Sequence, residues 1–206
     1  MRTSTRLGAL VGAAALSLAL AACGTTANSA SGMDNPTSTS SSASPSSAVD
    51  AVHNAADVSF TQQMLVHHQG AIAMAQLAPS RASNQQVKDL ASRIEAAQTP
   101  EIDEMARWLK TWGEPSASTD NSMGSMGSDS MGMMTDEQMN QLKAASGTVF
   151  DRMFLQMMTA HHQGAIAMAK TEQANGSNPQ ATALARSIET SQTAEVTEMG
   201  QLLQNL

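Results

Sequence analysis

The chain has 206 residues, and its 18 acidic and 11 basic side chains give a formal net charge of −7. This balance argues against a nucleic-acid-binding protein, because such proteins need a basic face. There is no tyrosine and only three phenylalanines and two tryptophans, whereas methionine occurs 16 times. A core of Ala, Met, Leu and Ile favours closely packed helices over sheets. The composition therefore predicts an all-α fold.

Residues 1–22 have the features of a signal peptide for export. Arg2 and Arg6 precede an apolar run that is too short to make a good spanning helix. The run ends in Leu20-Ala21-Ala22-Cys23, which resembles the bacterial lipobox, in which the cysteine is acylated and becomes the new N-terminus. We expect a lipoprotein held in the lipid bilayer by acyl chains such as palmitate on Cys23, on the extracytoplasmic face of the cell membrane. An ordinary cleaved signal peptide is the alternative.

A Ser/Thr-rich segment, 23–50, follows the lipobox and contains almost no bulky apolar residue. Such a segment buries too little surface to offset the entropy of ordering, so it is expected to be a disordered tether. The folded part is then a helical domain over residues 51–206.

That domain contains an internal duplication. The stretch His67-His68-Gln69-Gly70-Ala71-Ile72-Ala73-Met74-Ala75 recurs without change at 161–169, and nearly half of the positions in 57–110 are identical to those in 151–204. We therefore divide the domain into repeat 1 (54–113), a Met-rich linker (114–134), a short helix (135–146) and repeat 2 (148–206).

Each repeat shows the signals of two helices joined by a loop. In repeat 1, Asn54 and Asp57 form a predicted capping box, and a loop is expected at 79–83. Asn84 is expected to cap the second helix, Pro100 to kink or briefly break it, and Gly113 to end it.

The linker and repeat 2 show similar signals. Thr135 and Gln138 form a second predicted capping box for the short helix, which is expected to stop at Gly147. The segment 148–151 is predicted to begin the first helix of repeat 2, and Asn178 before Pro179 to begin its second. The two hairpins are expected to pack as a ferritin-like four-helix bundle with pseudo-two-fold symmetry, with the short helix between them.

Four of the five histidines lie in the two duplicated motifs, beside methionine and glutamate on the predicted inner faces. Imidazole nitrogen and thioether sulfur are copper ligands, and sulfur selects Cu(I). Met64 lies three and four residues before the histidine pair, so these side chains can converge from one helix. The candidate metal ligands are Met64, His67, His68, Met74, Glu101 and Met105, with their counterparts Met158, His161, His162, Met168, Glu195 and Met199.

The linker carries a separate copper signal. Methionines spaced by Gly, Ser and Asp lie where no core explains them, and they are typical of segments that collect Cu(I). The secondary candidates are Met123, Met126, Met131, Met133 and Met134.

A Phe and a Met followed by His-His-x-x-Ala-Ile-x-Met-Ala, present twice, resemble the bacterial family known as domain of unknown function 305. The resemblance covers roughly 54–206. It implies a ferritin-like bundle, an extracytoplasmic location and, in some members, copper binding and copper tolerance. It does not imply an enzyme.

We therefore expect a membrane-anchored, extracytoplasmic protein that binds copper, as Cu(I) or Cu(II), and buffers or relays it. No catalytic residue is assigned, no enzymatic activity is expected, and copper-handling proteins are the candidate partners. Two alternatives remain open. One is a structural or interaction lipoprotein with a buried His–Gln–Glu network and no metal, and the weaker one is a ferritin-like redox enzyme.

Overall fold

The computed structural model describes residues 48–116 and 132–206, and every regular element in these two ranges is helical. The helices are α1 (Ala55–Ala75), α2 (Ala78–Arg81), α3 (Gln85–Trp112), α4 (Asp136–Ala144), α5 (Gly147–Asn175) and α6 (Pro179–Gln204). The predicted all-α fold is confirmed. None of these helices is long and apolar enough to cross a membrane.

The four long helices form two hairpins that pack into a bundle. α1 packs against α3 in repeat 1, α5 packs against α6 in repeat 2, and α1 and α5 join the two repeats. The short α4 packs against α5. The predicted bundle of two duplicated hairpins with an extra helix between them is therefore confirmed.

Most of the predicted helix caps are present. Asn54 accepts the backbone N–H groups of Ala56 and Asp57, and the Asp57 carboxylate accepts the Asn54 N–H, which completes the capping box. Thr135 and Gln138 form the second box at the start of α4. Asn84 and Asn178 cap α3 and α6, and Gly113 ends α3 in the left-handed region at φ 73°.

One predicted loop in repeat 1 was wrong, and the helix does not break at Pro100. The expected loop at 79–83 contains the single-turn helix α2, which starts at Ala78 with Pro79 in its first turn, where a proline is tolerated. Pro100 was expected to kink or briefly break the second helix, and the break is absent, since α3 continues through Pro100 to Trp112. Pro100 and Ala96, whose carbonyl loses its helical partner, both lie on the exposed face.

The junction between α4 and α5 also differs from the prediction. α4 ends at Ala144, and Gly147 is the first residue of α5 rather than the end of α4. Its φ of 62° is left-handed, which only glycine adopts without strain, and this turn sets the direction of α5. Ser146 is the N-cap, so Thr148 has no capping role.

Asp57 and Asp151 join the two hairpins by exchanged hydrogen bonds. Asp57, at the start of α1, accepts the backbone N–H groups of Ser177 and Asn178 at 3.0 and 2.9 Å, just before α6. Asp151 in α5 accepts those of Ser83 and Asn84, both at 3.1 Å, just before α3. Each repeat therefore fixes the start of the other repeat's second helix.

The end of the expected tether packs onto the bundle. The carbonyl oxygen of Asp50 accepts a hydrogen bond from the indole N–H of Trp112 at 2.9 Å, and the Asp50 N–H donates to Gln180 Oε1 at 2.8 Å. Residues 48–50 are thus attached to α3 and α6. The rest of the predicted tether and the signal peptide lie outside the described residues.

Candidate functional site

The two duplicated histidine motifs meet at the centre of the bundle. His67 on α1 and His161 on α5 are equivalent residues of the two repeats, and their ring centroids are 3.6 Å apart. Both side chains are buried, as are the neighbouring His68 and His162. Contact between equivalent residues places this pair on the pseudo-two-fold axis of the bundle.

Gly70 makes this close approach possible. A Cβ atom at this position would lie 3.2 Å from Nε2 of His161, tighter than ordinary van der Waals contact. The glycine one turn after His67 therefore leaves room for the imidazole from the opposite helix.

His68 and His162 are each held by a glutamate from the second helix of their own repeat. His68 Nε2 lies 2.7 Å from Glu101 Oε2, and His162 Nε2 lies 2.6 Å from Glu195 Oε2. An ionised carboxylate only accepts hydrogen bonds, so a neutral ring in this position donates from Nε2 and keeps its lone pair on Nδ1.

The free lone pairs have no hydrogen-bond partners among the described residues. The Nδ1 atoms of both His68 and His162 are buried and accept no hydrogen bond there. A glutamate that fixes the tautomer of an imidazole and leaves the other nitrogen open is the arrangement found behind metal-binding histidines. Glu101 and Glu195, predicted as ligands, thus contact the histidines and act as orienting groups.

His161 is held in its neutral form. Burial lowers the pKa of His161 well below its ordinary value, and the neighbouring His67, His162 and His68 lower it further, against a weak opposing contribution from the His67 backbone. Neither ring nitrogen has a hydrogen bond of good geometry within the described ranges. A neutral imidazole is the form that binds a metal ion.

The predicted methionine ligands lie in two separate apolar clusters. Met64 and Met105 belong to one cluster, with Met168 of the other repeat packed against it. Met158 and Met199 belong to the second cluster, which also contains Met74. Of these six predicted ligands, each cluster therefore holds two from one repeat and one from the other, as pseudo-two-fold symmetry requires. We name them the Met64 cluster and the Met158 cluster.

The buried glutamines do not join the histidines. Gln98 and Gln192 are each only 3% exposed. Neither amide atom of Gln98, and not the carbonyl oxygen of Gln192, has a hydrogen-bond partner in the described part of the chain. The alternative of a His–Gln–Glu network is therefore wrong in its glutamine part, and what exists is two His–Glu pairs.

The candidate metal ligands offer imidazole nitrogen at the centre and thioether sulfur in the two methionine clusters. Within 48–116 and 132–206, no three His, Cys, Asp or Glu side chains are grouped so that they could hold a metal ion by themselves. Ring nitrogens of the buried His68, His161 and His162 have no hydrogen-bond partner among the described residues. Met64 and Met158 precede the histidine pairs by three and four residues on α1 and α5. This chemistry fits a soft ion such as Cu(I) and does not fit a hard cation.

The linker is described only in part. Met123, Met126 and Met131 lie outside the described residues, as does Cys23. Met133 and Met134 are partly buried, and Met134 packs against the Met158 cluster. Gly132 adopts a φ of 69° and lies directly against the backbone of Ala160 on α5, where any Cβ atom would collide.

Three further methionines at the Met158 cluster were not predicted as ligands from the sequence. Met139, Met153 and Met157 are partly buried against the Met158 cluster. Met153 and Met157 precede His161 by eight and four residues, so their helical spacing was the available signal. Glu172 was not predicted either, although it is 1% exposed and approaches Asp57 from the end of α5.

The family comparison covers both repeats. Residues 57–203 match the family described as "Domain of unknown function (DUF305)". Among curated proteins, none matches the chain significantly.

Solved structures with the same fold include members of this family and a copper-bound protein. A DUF305 protein of Streptomyces coelicolor, described as secreted, is 35% identical, with a TM-score of 0.66 over 73% of this chain and 93% of its own. A DUF305 fragment from Deinococcus radiodurans is 29% identical, with a TM-score of 0.68 over 74% and 98%. CopM in its Cu(I)-bound form is 34% identical, with a TM-score of 0.60 over 72% and 96%.

CopM has also been solved in Cu(II)-bound, silver-bound and metal-free forms. The family match extends over more than two thirds of the chain, and these relatives are covered almost completely. The chain is a member of the DUF305 family.

Proposed function

We propose that this protein binds copper as cargo outside the cytoplasm and buffers or relays it. The observation that carries the proposal is the central histidine group, in which two glutamates orient His68 and His162 and leave their buried Nδ1 atoms without hydrogen-bond partners among the described residues. The similarity to CopM, which has been solved with Cu(I), Cu(II) and silver, supports copper as the metal.

The proposed centre has two related ligand sets. In repeat 1 the set is Met64, His67, His68 and Met105 with Met168 from repeat 2. In repeat 2 it is Met158, His161, His162 and Met199 with Met74 from repeat 1. Bound copper would supply no chemistry beyond its own transport, and neutral thioether and imidazole ligands favour the Cu(I) state.

The protein is proposed to be a lipoprotein, anchored in the cell membrane through acylated Cys23 on the extracytoplasmic face. The lipobox-like sequence 20–23 supports this, as does the similarity to a relative described as secreted. Copper-handling proteins in the same compartment are the proposed partners.

Binding without catalysis is part of the proposal. Both central carboxylates, Glu101 and Glu195, are engaged by imidazole rings, so neither is an uncommitted general base. We expect no turnover of Cu(I) or Fe(II) with oxygen. Multiple-turnover oxygen consumption that depends on either glutamate would favour a redox enzyme instead.

The decisive experiment replaces His67, His68, His161 and His162 together with glutamine. Cu(I) affinity of the purified protein should fall at least about 100-fold, because the imidazole ligands are gone. The measurement is competition titration with a chromophoric Cu(I) chelator, with Zn(II) titrated in parallel. His53→Gln is the matched control, since His53 stacks on Trp112 away from the centre and should leave the affinity unchanged.

The same experiment decides for or against a structural lipoprotein. The two His–Glu pairs join α1 to α3 and α5 to α6, which is what a purely structural role would use. A folded four-histidine variant that binds Cu(I) as tightly as the unmodified protein would establish the structural alternative.

A further inference from the structure

The pseudo-symmetry of the bundle fails on one outer face. In repeat 1, α1 carries Ser59 and Gln63 there, and Gln63 Nε2 donates to Ser59 Oγ at 2.6 Å on an exposed surface. The equivalent positions of α5 in repeat 2 are Met153 and Met157, which are partly buried against the Met158 cluster. A polar pair is thus replaced by two thioethers.

The segment that precedes α5 packs against the same cluster as this methionine face, and α4 contacts α5. Met134, at the end of the linker, and Met139 on α4 are both partly buried against the same cluster. Gly132 fixes the path of this segment, because it contacts the α5 backbone at Ala160. Four methionines from the linker, α4 and α5 therefore lie around the outer side of one cluster.

The four methionines are more exposed to solvent than the side chains that fill the interior of the cluster. The largest fully buried members of the Met158 cluster on α4 and α5, apart from Met158, are Leu142, Phe150, Phe154 and Leu155. The methionines at 134, 139, 153 and 157 lie further out and keep partial access to solvent. Methionine also fills irregular gaps in cores, but leucine serves that purpose equally well at similar volume.

We propose that Met134, Met139, Met153 and Met157 form a thioether site for a soft monovalent cation, Cu(I) or Ag(I), on the repeat-2 face alone. We name it the rim site. It deepens the proposed function, because it makes the two halves of the bundle unequal in metal capacity. It differs from the central histidine group in its ligands, which are sulfur only, so the two can be tested separately.

The test uses Ag(I), which is not readily oxidised or reduced, titrated into the full-length protein labelled with ¹³C at the methionine methyl groups. The methyl signals of the four rim residues should shift together and saturate. The variant with Met134, Met139, Met153 and Met157 all changed to Leu keeps side-chain volume but has no thioether. It should bind one equivalent of Ag(I) less than the unmodified protein.

Two controls separate the rim site from its surroundings. Replacing Met123, Met126, Met131 and Met133 with Leu removes the same number of thioethers and should leave the rim shifts unchanged. The four-histidine glutamine variant should also keep them, even if the central group binds nothing, so failure of the proposed function would not remove the rim signal.

Unshifted rim methyl signals in the unmodified protein at saturating Ag(I) would overturn the proposal. An undiminished number of equivalents in the folded leucine variant would overturn it equally. If the fourfold variant fails to fold, the methyl shifts of the unmodified protein decide the question, because they report each rim methionine directly.

Discussion

One glutamate in each repeat sets which imidazole nitrogen is available at the centre. Glu101 and Glu195 accept from Nε2 of His68 and His162, so Nδ1 remains as the possible ligand. The sequence indicated that both carboxylates face inward. It did not indicate that they would contact the histidines, because helical spacing places side chains on a face and does not select their partners across it.

We expect the double variant Glu101→Ala/Glu195→Ala to bind Cu(I) about 10- to 100-fold more weakly, since the rings lose the groups that orient them. Glu101→Gln/Glu195→Gln retains an oxygen that accepts from Nε2 and should stay close to the unmodified protein. Chelator competition measures both affinities. Equal, unchanged affinities in the two double variants would mean that the glutamates do not position the ligands.

Glu172 shows how one residue breaks the symmetry of the repeats. It approaches Asp57, whereas the equivalent position in repeat 1 is Ala78. Burial, together with the hydrogen bond to Asp57 and the charge of Asp57, raises the pKa of Glu172 to about 8. Burial also acts to raise the pKa of Asp57, but hydrogen bonds from Glu172, Asn178, Asn54 and Ser177 outweigh it and lower that pKa.

The raised pKa of Glu172 predicts a loss of stability at alkaline pH. Between the unfolded value of 4.5 and about 8, the folded state holds a proton that the unfolded state has released, so the free energy of unfolding falls as pH rises through this window. Above it, Glu172 is ionised beside Asp57. At about 1.4 kcal/mol per pKa unit, the loss is on the order of a few kcal/mol.

Glu172→Gln removes this titration and should flatten the decline. Urea unfolding at pH 5, 7 and 9 measures it, with the exposed Glu137→Gln as the matched control. A glutamine variant that loses as much stability as the unmodified protein between pH 5 and pH 9 would contradict the assignment.

At the level of the helices, α3 tolerates a proline that its repeat-2 counterpart lacks. Pro100 lies within α3, and the equivalent residue of α6 is Ala194. From the sequence, Pro100 was expected to kink or briefly break the helix, because its ring and missing N–H disturb the preceding turn. The tertiary contacts of α3 with α1 override that local preference, and water can reach the exposed turn where the bond is lost.

We predict that Pro100→Ala raises the free energy of unfolding by about 1–3 kcal/mol, because it restores a helical hydrogen bond and removes a steric conflict. The reciprocal Ala194→Pro should lower it by a similar or larger amount. The measurement is the midpoint of urea unfolding, compared between variants whose free energy of unfolding depends on urea concentration with the same slope. Destabilisation by Pro100→Ala would show instead that the proline shapes α3 to fit α1.

For the molecule as a whole, the proposed location rests on the N-terminal segment. No described helix can cross a membrane, and the lipobox-like Leu20–Cys23 is the proposed anchor. Cys23→Ala should therefore move the protein from the membrane fraction to the soluble fraction and remove acyl chains from its N-terminus. Membrane fractionation and intact mass measure both, with Ser40→Ala as the control. Membrane association that survives Cys23→Ala would refute lipid anchoring.

The amino-acid sequence by itself determined the features that depend on neighbouring residues. The duplication, the caps at Asn54, Asn84, Thr135 and Asn178, and the inward faces of the long helices were all predictable. Capping uses side chains within three residues, and amphipathicity follows the helical period. Local rules failed at Gly147, where a left-handed glycine begins a helix, because the direction of the next helix depends on distant packing.

Only the tertiary structure decided how the two repeats meet. His67 contacts His161, and Asp57 and Asp151 exchange hydrogen bonds between the repeats. The two methionine clusters likewise each contain residues of both repeats. The packing of Met134 and Met139 against the same cluster as Met153 and Met157 depends likewise on where the intervening segment lies. These contacts follow from the relative rotation of two hairpins, which the helical period leaves undetermined because it describes each helix about its own axis.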